Sequence, residues 1–365
     1  MHLEKLQLVN FRNYENHFFE FSSGLNCIIG KNGSGKTNLL DAIYYLSLSK
    51  SFIHNQDNLN IRFEQESLLI EGVYISESKE LITSSIQKGS KKLFFQDKNP
   101  YERISDHIGK YPIVLIAPDD TDLIRDGSET RRKLFDGILA QTDTTYLKLY
   151  QKYNRVLDQR NSLLKQFGEH NYFDEDLLKI YSEQLFEIGV KIHSIRKEFI
   201  TEFIPIFQKH YKHLSEANEQ VQIEYSSEHA DERFSEIFFN SIGTDLSAQR
   251  TTKGVHKDDF VFLMENLSIK KFGSQGQKKS FIMAIKLAQF DIIQKIKGLK
   301  PILLLDDIFD KLDEKRINKL VEMIKEGIFG QVFITDARPN RTKDLLSTLK
   351  FPLNYIETEN LKSGI

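Results

Sequence analysis

Cysteine is almost absent from this chain. A single one, Cys27, stands among 365 residues, so an internal disulfide is excluded and a reducing setting is implied. Its place in an apolar run points to a buried core thiol. Net charge is nearly absent too, with 50 lysines and arginines against 52 aspartates and glutamates and a formal balance of −2. The whole chain is therefore no basic magnet for nucleic acid, and any DNA contact must be a local patch. No window approaches a membrane-spanning length of uninterrupted apolar residues. Met1-His2-Leu3-Glu4-Lys5 carries no apolar signal region, and a cytoplasmic location without membrane contact is expected. Internal repeats and low-complexity tracts are missing. What remains is 40% hydrophobic and 28% charged, an ordinary globular composition long enough for a large core in two lobes.

Against that background one stretch stands out. Gly30-Lys31-Asn32-Gly33-Ser34-Gly35-Lys36-Thr37 is a complete G-x-x-x-x-G-K-[ST] phosphate-binding loop. Upstream, Leu25-Asn26-Cys27-Ile28-Ile29 reads as a buried strand; downstream, Leu39, Leu40, Ala42, Ile43 and Leu46 recur at helical spacing. Gly30, Gly33 and Gly35 let the backbone of residues 30–37 curl into a nest whose N–H groups face phosphate, at the positive end of a helix. Lys36 is the candidate catalytic cation reaching the β- and γ-phosphates of ATP, and the Thr37 hydroxyl is a candidate Mg²⁺ ligand.

The rest of the chain supplies an α/β frame. Residues 3–29 read as three strands, with Phe11-Arg12-Asn13-Tyr14 as a polar-aromatic turn. Alternating runs at 68–75, 81–87 and 92–96 form an antiparallel meander, and 112–116 is a further apolar strand. From Ser128, read as an N-cap, the period becomes helical. The helices are expected to be short, interrupted by Gly137, Gly168 and Pro205, and to pack as a compact inserted lobe without a long coiled coil. Strand alternation returns at 221–225 and 258–263. Phe281, Ile282, Ile285, Leu287 and Ala288 mark an amphipathic helix. Ile302-Leu303-Leu304-Leu305 and residues 331–336 read as parallel strands buried on both faces. The division drawn is 1–116 and 273–365 for the nucleotide lobe and 117–272 for the helical lobe.

Two carboxylates follow the 302–305 strand. Asp306 is placed to complete the Mg²⁺ shell with Thr37, and Asp307 to act as general base toward the attacking water. A strand end that merely caps the next helix is the bland alternative. About 30 residues upstream, Ser274-Gln275-Gly276-Gln277 resembles the signature of ABC-type ATPases. That resemblance implies that Ser274 and Gly276 contact the nucleotide of an opposing copy, so that ATP drives a homodimer. Asp310-Lys311-Leu312-Asp313 resembles the loop that crosses such a dimer. Thr335-Asp336 stands where the family keeps a switch histidine, which implies slow hydrolysis. The fold implied is a P-loop ABC-type ATPase head with an antiparallel meander and an inserted helical lobe.

A more specific set follows in order along the chain: Asn10 to Tyr14, Thr37 to Ile43, Ser51-Phe52, Ala117 to Asp120, Glu129 to Asp136, Gln159 to Lys165, Gly254 to Asp259, Gly273 to Lys278 and Leu304 to Asp310. In this the chain resembles the RecF family of bacterial recombinational-repair ATPases over essentially its whole length. Ile53, where the family more often has arginine, and Asp41, in place of the usual glutamate, depart from its pattern. The resemblance implies ATP-dependent dimerisation, binding of double-stranded and gapped DNA, and a weak DNA-stimulated ATPase. It also implies work with RecR and RecO to load RecA, support of the SOS response, and a place for Arg12 in the nucleotide shell. Two competing readings are an SMC-like ATP-locked clamp and a transporter nucleotide-binding subunit. The latter lacks its expected adenine platform and switch histidine. For DNA the candidates are Lys88, Lys91 and Lys92 on the meander turn and Lys50 after the loop helix. The helices carrying Arg131 and Arg132 or residues 150–165 are the fallback, and a solvated hairpin tip is the bland alternative.

Overall fold

The computed structural model describes residues 1–170, 173–215, 219–311, 313–338 and 352–358. The chain divides into two compact units, Met1–Asp120 with Gln289–Ile365, and Thr121–Ala288. The first unit opens with β1 (His2–Phe11), β2 (Tyr14–Glu20), β3 (Leu25–Ile29) and α1 (Lys36–Leu48). The meander follows as β4 (Ser67–Ile75), β5 (Lys79–Gln87), β6 (Leu93–Gln96) and β7 (Asn99–Pro100), then β8 (Ile113–Ile116). Strands β2-β1-β4-β5-β6-β7 form one antiparallel sheet. Alternation in β4 turns Leu68, Ile70 and Tyr74 inward. Helix α1 is buried nearly all round, with Leu39, Leu40, Ile43 and Leu46 in one core with Leu3, Ile70, Ile113 and Leu304. That is why it carries no charged face. Its approach to β4 requires glycine at 72, where a Cβ would meet the Leu46 side chain at 2.3 Å.

The second unit begins with α2 (Asp122–Arg125), α3 (Ser128–Thr142), α4 (Thr144–His170) and α5 (Glu175–Ser215). It continues through β9 (Val221–Ser226), α6 (Phe234–Phe239), α7 (Ile242–Ala248), β10 (Asp259–Met264), β11 (Leu267–Ser268) and α8 (Ile269–Phe272). Helix α9 (Gln275–Lys297) starts here and enters the first unit at Gln289. The helices differ from their sequence reading in two ways. Helix α5 has 41 residues, a length of about 60 Å, with Pro205 inside it; Gly137 and Gly168 likewise lie within α3 and α4. Proline costs a backbone bond, but Phe203 and Phe207 beside it are fully buried, against Phe135 at 5.4 Å and Phe281 at 4.7 Å between ring centroids. Tertiary packing therefore holds the helix through the break. Ser128 is not the N-cap: Gly127 is, and the Ser128 hydroxyl instead accepts from Arg132 at 2.7 Å.

The chain closes with β12 (Ile302–Leu305), α10 (Ile308–Lys311), α11 (Glu314–Lys325), β13 (Val332–Asp336) and β14 (Leu353–Glu357). These strands complete a parallel sheet in the order β14-β3-β13-β12-β8. Every residue of β3, β8, β12 and β13 is buried, as a sheet covered on both faces requires. Cys27 lies in this core at 0% exposure, and burial pushes its thiol up to about 12. The architecture is the ATPase head expected, with meander and helical insertion and no long coiled coil among the described residues.

Candidate nucleotide-binding site

The carboxyl ends of β3, β13 and β12 lie side by side, Thr335 pairing with Ile28 and Leu305 with Ile334. Ligands of open parallel sheets bind at such an edge. The 30–37 loop leaves β3 here and turns into α1 at Gly35, whose φ of 102° is left-handed. Any Cβ at Gly35 would come within 2.4 Å of the Asn13 amide, so glycine serves both conformation and space. Lys36 is 5% exposed, and its ammonium donates to the carbonyls of Gly30 at 2.8 Å and Lys31 at 3.0 Å. Both partners are neutral carbonyls, and the nearby Lys36 charge works against the burial that raises the Asp306 carboxyl; a cation at the start of a helix favours an anion. Asn32 and Lys31 are exposed on the loop, Gly33 has a φ of 81°, and the Ser34 hydroxyl pairs with that of Thr358 at 2.5 Å.

Opposite the loop, the Thr37 hydroxyl donates to Asp306 Oδ1 at 3.1 Å. Thr335 donates to the same oxygen at 2.8 Å and accepts the Asp307 N–H at 2.8 Å. Burial pushes the Asp306 carboxyl up, opposed by the hydrogen bonds from Thr335 and Thr37. A hydroxyl and a carboxylate this close form the hard oxygen donor set that Mg²⁺ takes beside phosphate, so the residues fit the metal. Asp307 is held at a φ of 45°, an unusual conformation for a residue with a Cβ. It turns out of β12 and stays partly exposed while Asp306 is buried.

Arg12 braces the first turn of α1. Its guanidinium donates to Asn38 at 3.0 Å, Asp41 at 2.6 Å, Ser51 at 2.9 Å and Asn60 at 2.7 Å. Burial lowers the Arg12 pKa and raises that of Asp41. The shorter carboxylate at 41 still reaches Arg12, the Ser51 hydroxyl and the Phe52 N–H. Asn13 links this brace to the loop by accepting from Asn38 at 2.6 Å, and the Tyr14 hydroxyl donates to the Gly35 carbonyl at 3.0 Å.

In the second unit, Ser274 caps α9. Its Oγ accepts the Gln277 N–H at 3.2 Å, and the Gln277 side chain accepts the Ser274 N–H at 2.6 Å. This is a reciprocal capping box. Ser274 is exposed and Gly276 partly so. Of the segment Asp310 to Asp313, Leu312 lies outside the described residues.

Comparison with known proteins bears on this arrangement. Residues 2–102 match the family model of the RecF/RecN/SMC N-terminal domain. The DNA replication and repair protein RecF of Flavobacterium johnsoniae is 46% identical over 95% of this chain and 97% of its own. The RecF protein of Cytophaga hutchinsonii is 45% identical over 94% and 91%. The chain belongs to the RecF family. A solved structure of the recombination mediator protein RecF-ATP in the RecFOR pathway superposes with a TM-score of 0.85 at 29% identity, covering 92% of each chain. An Smc head bound to the C-terminal winged-helix domain of ScpA shares the fold alone, at 18% identity and a TM-score of 0.52, covering 93% of this chain and 90% of its own.

Three RecF-family motifs in the second unit, those of Arg131, Arg160 and Asp258, are held by ion pairs. Arg131 forms a two-pronged pair with Asp259 at 2.8 and 2.9 Å. Arg196 binds Asp136 and Asp258, each at 2.9 Å. Arg160 pairs with Asp245 at 2.8 Å with both side chains fully buried. These arginines hold elements together, which weakens the helix of Arg131 and Arg132 as a DNA surface. The sequence did not single out Thr358 or Asn60, and it marked Asn13 only as part of a polar-aromatic turn, with no partner assigned. Thr358 reaches the loop only through the pairing of β14 with β3, across more than 300 residues, and no local signal marks it. No helix among the described residues is long and apolar enough to cross a membrane.

Proposed function

We propose that this chain is a slow, DNA-stimulated ATPase of recombinational repair and replication-gap processing, which dimerises on ATP and binds double-stranded and gapped DNA. The observation that carries it is the meeting of the phosphate loop and the acidic strand at Thr37 and Asp306. Residues 30–37 would hold the phosphates, with Lys36 as catalytic cation, and Arg12 would join the shell through its brace on Asn38. Thr37 and Asp306 would hold Mg²⁺, which supplies charge neutralisation on the phosphate oxygens. Asp307 would accept a proton from the attacking water. The Thr335 hydroxyl bonds both acidic positions, where an imidazole would offer a proton acceptor, and this supports slow turnover. Ser274 and Gly276 would complete the partner copy's site. Work with RecR and RecO to load RecA, support of the SOS response, and a cytoplasmic location follow from family membership in this reading.

The test measures ATP hydrolysis with and without gapped duplex, and mass by light scattering with and without ATP. A monomer that becomes a dimer on ATP, with slow turnover raised by duplex, is expected. A stable apo dimer indifferent to ATP, with no turnover, would overturn the reading. An ATP dimer that never hydrolyses would favour the structural clamp, to which the committed Thr335 hydroxyl also points.

A further inference from the structure

The capping box at Ser274 is itself held from outside. Gln277 uses its carbonyl oxygen to accept the Ser274 N–H, and its amide donates to Glu219 Oε1 at 2.6 Å. The other Glu219 oxygen accepts the Tyr211 hydroxyl at 2.5 Å. Next to it, Gln220 donates its N–H to Glu265 at 2.7 Å, and the Glu265 N–H returns to the Gln220 carbonyl at 2.8 Å. Glu219 is thus fixed between the end of α5 and the turn joining β10 to β11, and its position fixes the flip of the Gln277 amide. That flip is decisive: with the amide reversed, an N–H would face the Ser274 N–H, and the box would open.

We infer that Glu219 is a positioning residue for the signature: through Gln277 it holds Ser274 and the first turn of α9 in the arrangement that meets the partner copy's nucleotide. This rests on the reading above that Ser274 and Gly276 face that nucleotide. With its Oγ accepting from Gln277, the Ser274 hydroxyl keeps its proton to donate to a phosphate oxygen. Glu219 touches no nucleotide. It lines a polar cavity of about 330 Å³ with Gln208, Tyr211, Lys212 and Gln222, so a smaller side chain there leaves the apolar core intact.

The test compares Glu219→Ala, Glu219→Gln, Tyr211→Phe and Ser274→Arg in the full chain. Readouts are ATP-dependent dimerisation, ATP turnover across protein concentration, binding of a fluorescent ATP analogue by monomers, and thermal midpoint. Loss of a charge-assisted bond predicts an ATP dimer about tenfold weaker in Glu219→Ala. Analogue binding should stay at its wild-type value, the thermal midpoint should fall by only a few degrees through the lost Tyr211 bond, and turnover should recover as protein concentration rises, which simple misfolding would not give. Glu219→Gln should restore the dimer, since its oxygen accepts from Gln277 while its amide donates to Tyr211. Tyr211→Phe provides a second release of Glu219 and should weaken the dimer in the same direction. A wild-type dimer in Glu219→Ala alongside loss in Ser274→Arg would overturn the latch and leave the signature reading standing. No loss in either would overturn both.

Discussion

Lys36 is held by its own loop. Its ammonium lies between two carbonyls of the same loop, at 2.8 and 3.0 Å, while the rest of the side chain is buried. Arginine keeps the charge but brings a planar, wider group on a different reach. Lys36→Arg is therefore expected to retain ATP binding within a few-fold and to lose most turnover, by about a hundredfold if a transition-state contact to phosphate is lost. Turnover of purified Lys36→Arg at the wild-type rate would show that this loop is not the catalytic site. At this scale much was legible, because the loop, Thr37 and the carboxylates sit in motifs whose chemistry fixes residue type and spacing. Thr335 and Thr358 were not legible as partners, since only the order of the parallel sheet brings them to Asp306 and Ser34, and Asn13 reaches the loop from the β1–β2 turn.

Between elements the second unit is joined by polar and aromatic contacts that keep histidines neutral. Burial holds His256 down to about 4 and His229 down to about 3, and in the first unit His107 down to about 4. His229 packs at a tilt against Phe234, at 4.0 Å, and stacks on the ring of His193 at 5.5 Å, and its Nδ1 is buried without a partner among the described residues. An unfolded histidine titrates near 6.5. Below that value the unfolded chain binds protons that the folded chain refuses, so stability is fully present above about 6.5 and falls as pH drops toward the folded values. Burial raises the carboxyls of Asp41 and Asp258, which acts with the opposite sign toward lower pH. A difference measurement separates the two. His229→Phe keeps the stack and removes one titration, so its thermal midpoint should fall less than the wild type's between pH 6.5 and 4. Parallel curves would mean that His229 takes up its proton as readily in the fold as in the unfolded chain. Element types were legible from periodicity, whereas helix lengths were not. Pro205 and Gly168 read as breaks because their cost is local, while the aromatic packing that holds α5 through Pro205 comes from α3 and α9.

Across the whole molecule the near-zero charge makes the proposed DNA binding a matter of where a few cations stand. Among the meander lysines the structure separates two kinds. Lys92 is half-buried, paired with Asp57 at 3.0 Å and set over the Tyr45 ring at 5.6 Å, so it ties the hairpin to α1. Lys88 and Lys91 are exposed at the tip. Lys88 pairs with Glu66 at 3.1 Å, and an open surface pair of this kind contributes little and exchanges readily for a phosphate. Lys50 is exposed just past α1. The fallback surface is weaker, because Arg131 is already matched to Asp259. If the tip meets phosphates, duplex affinity should fall steeply with salt and show little sequence preference. Each lost contact lowers the salt slope by about one, and a symmetric dimer doubles that for each substitution. Lys88→Ala and Lys91→Ala should therefore each flatten the slope by about two with ATP present. Lys92→Ala should lower thermal stability while leaving the slope nearly intact, since its charge already faces Asp57. A salt titration of duplex binding, run with ATP for the three variants and the wild type, reads all of this. Unchanged slopes for Lys88→Ala and Lys91→Ala would exclude the meander tip as a DNA surface.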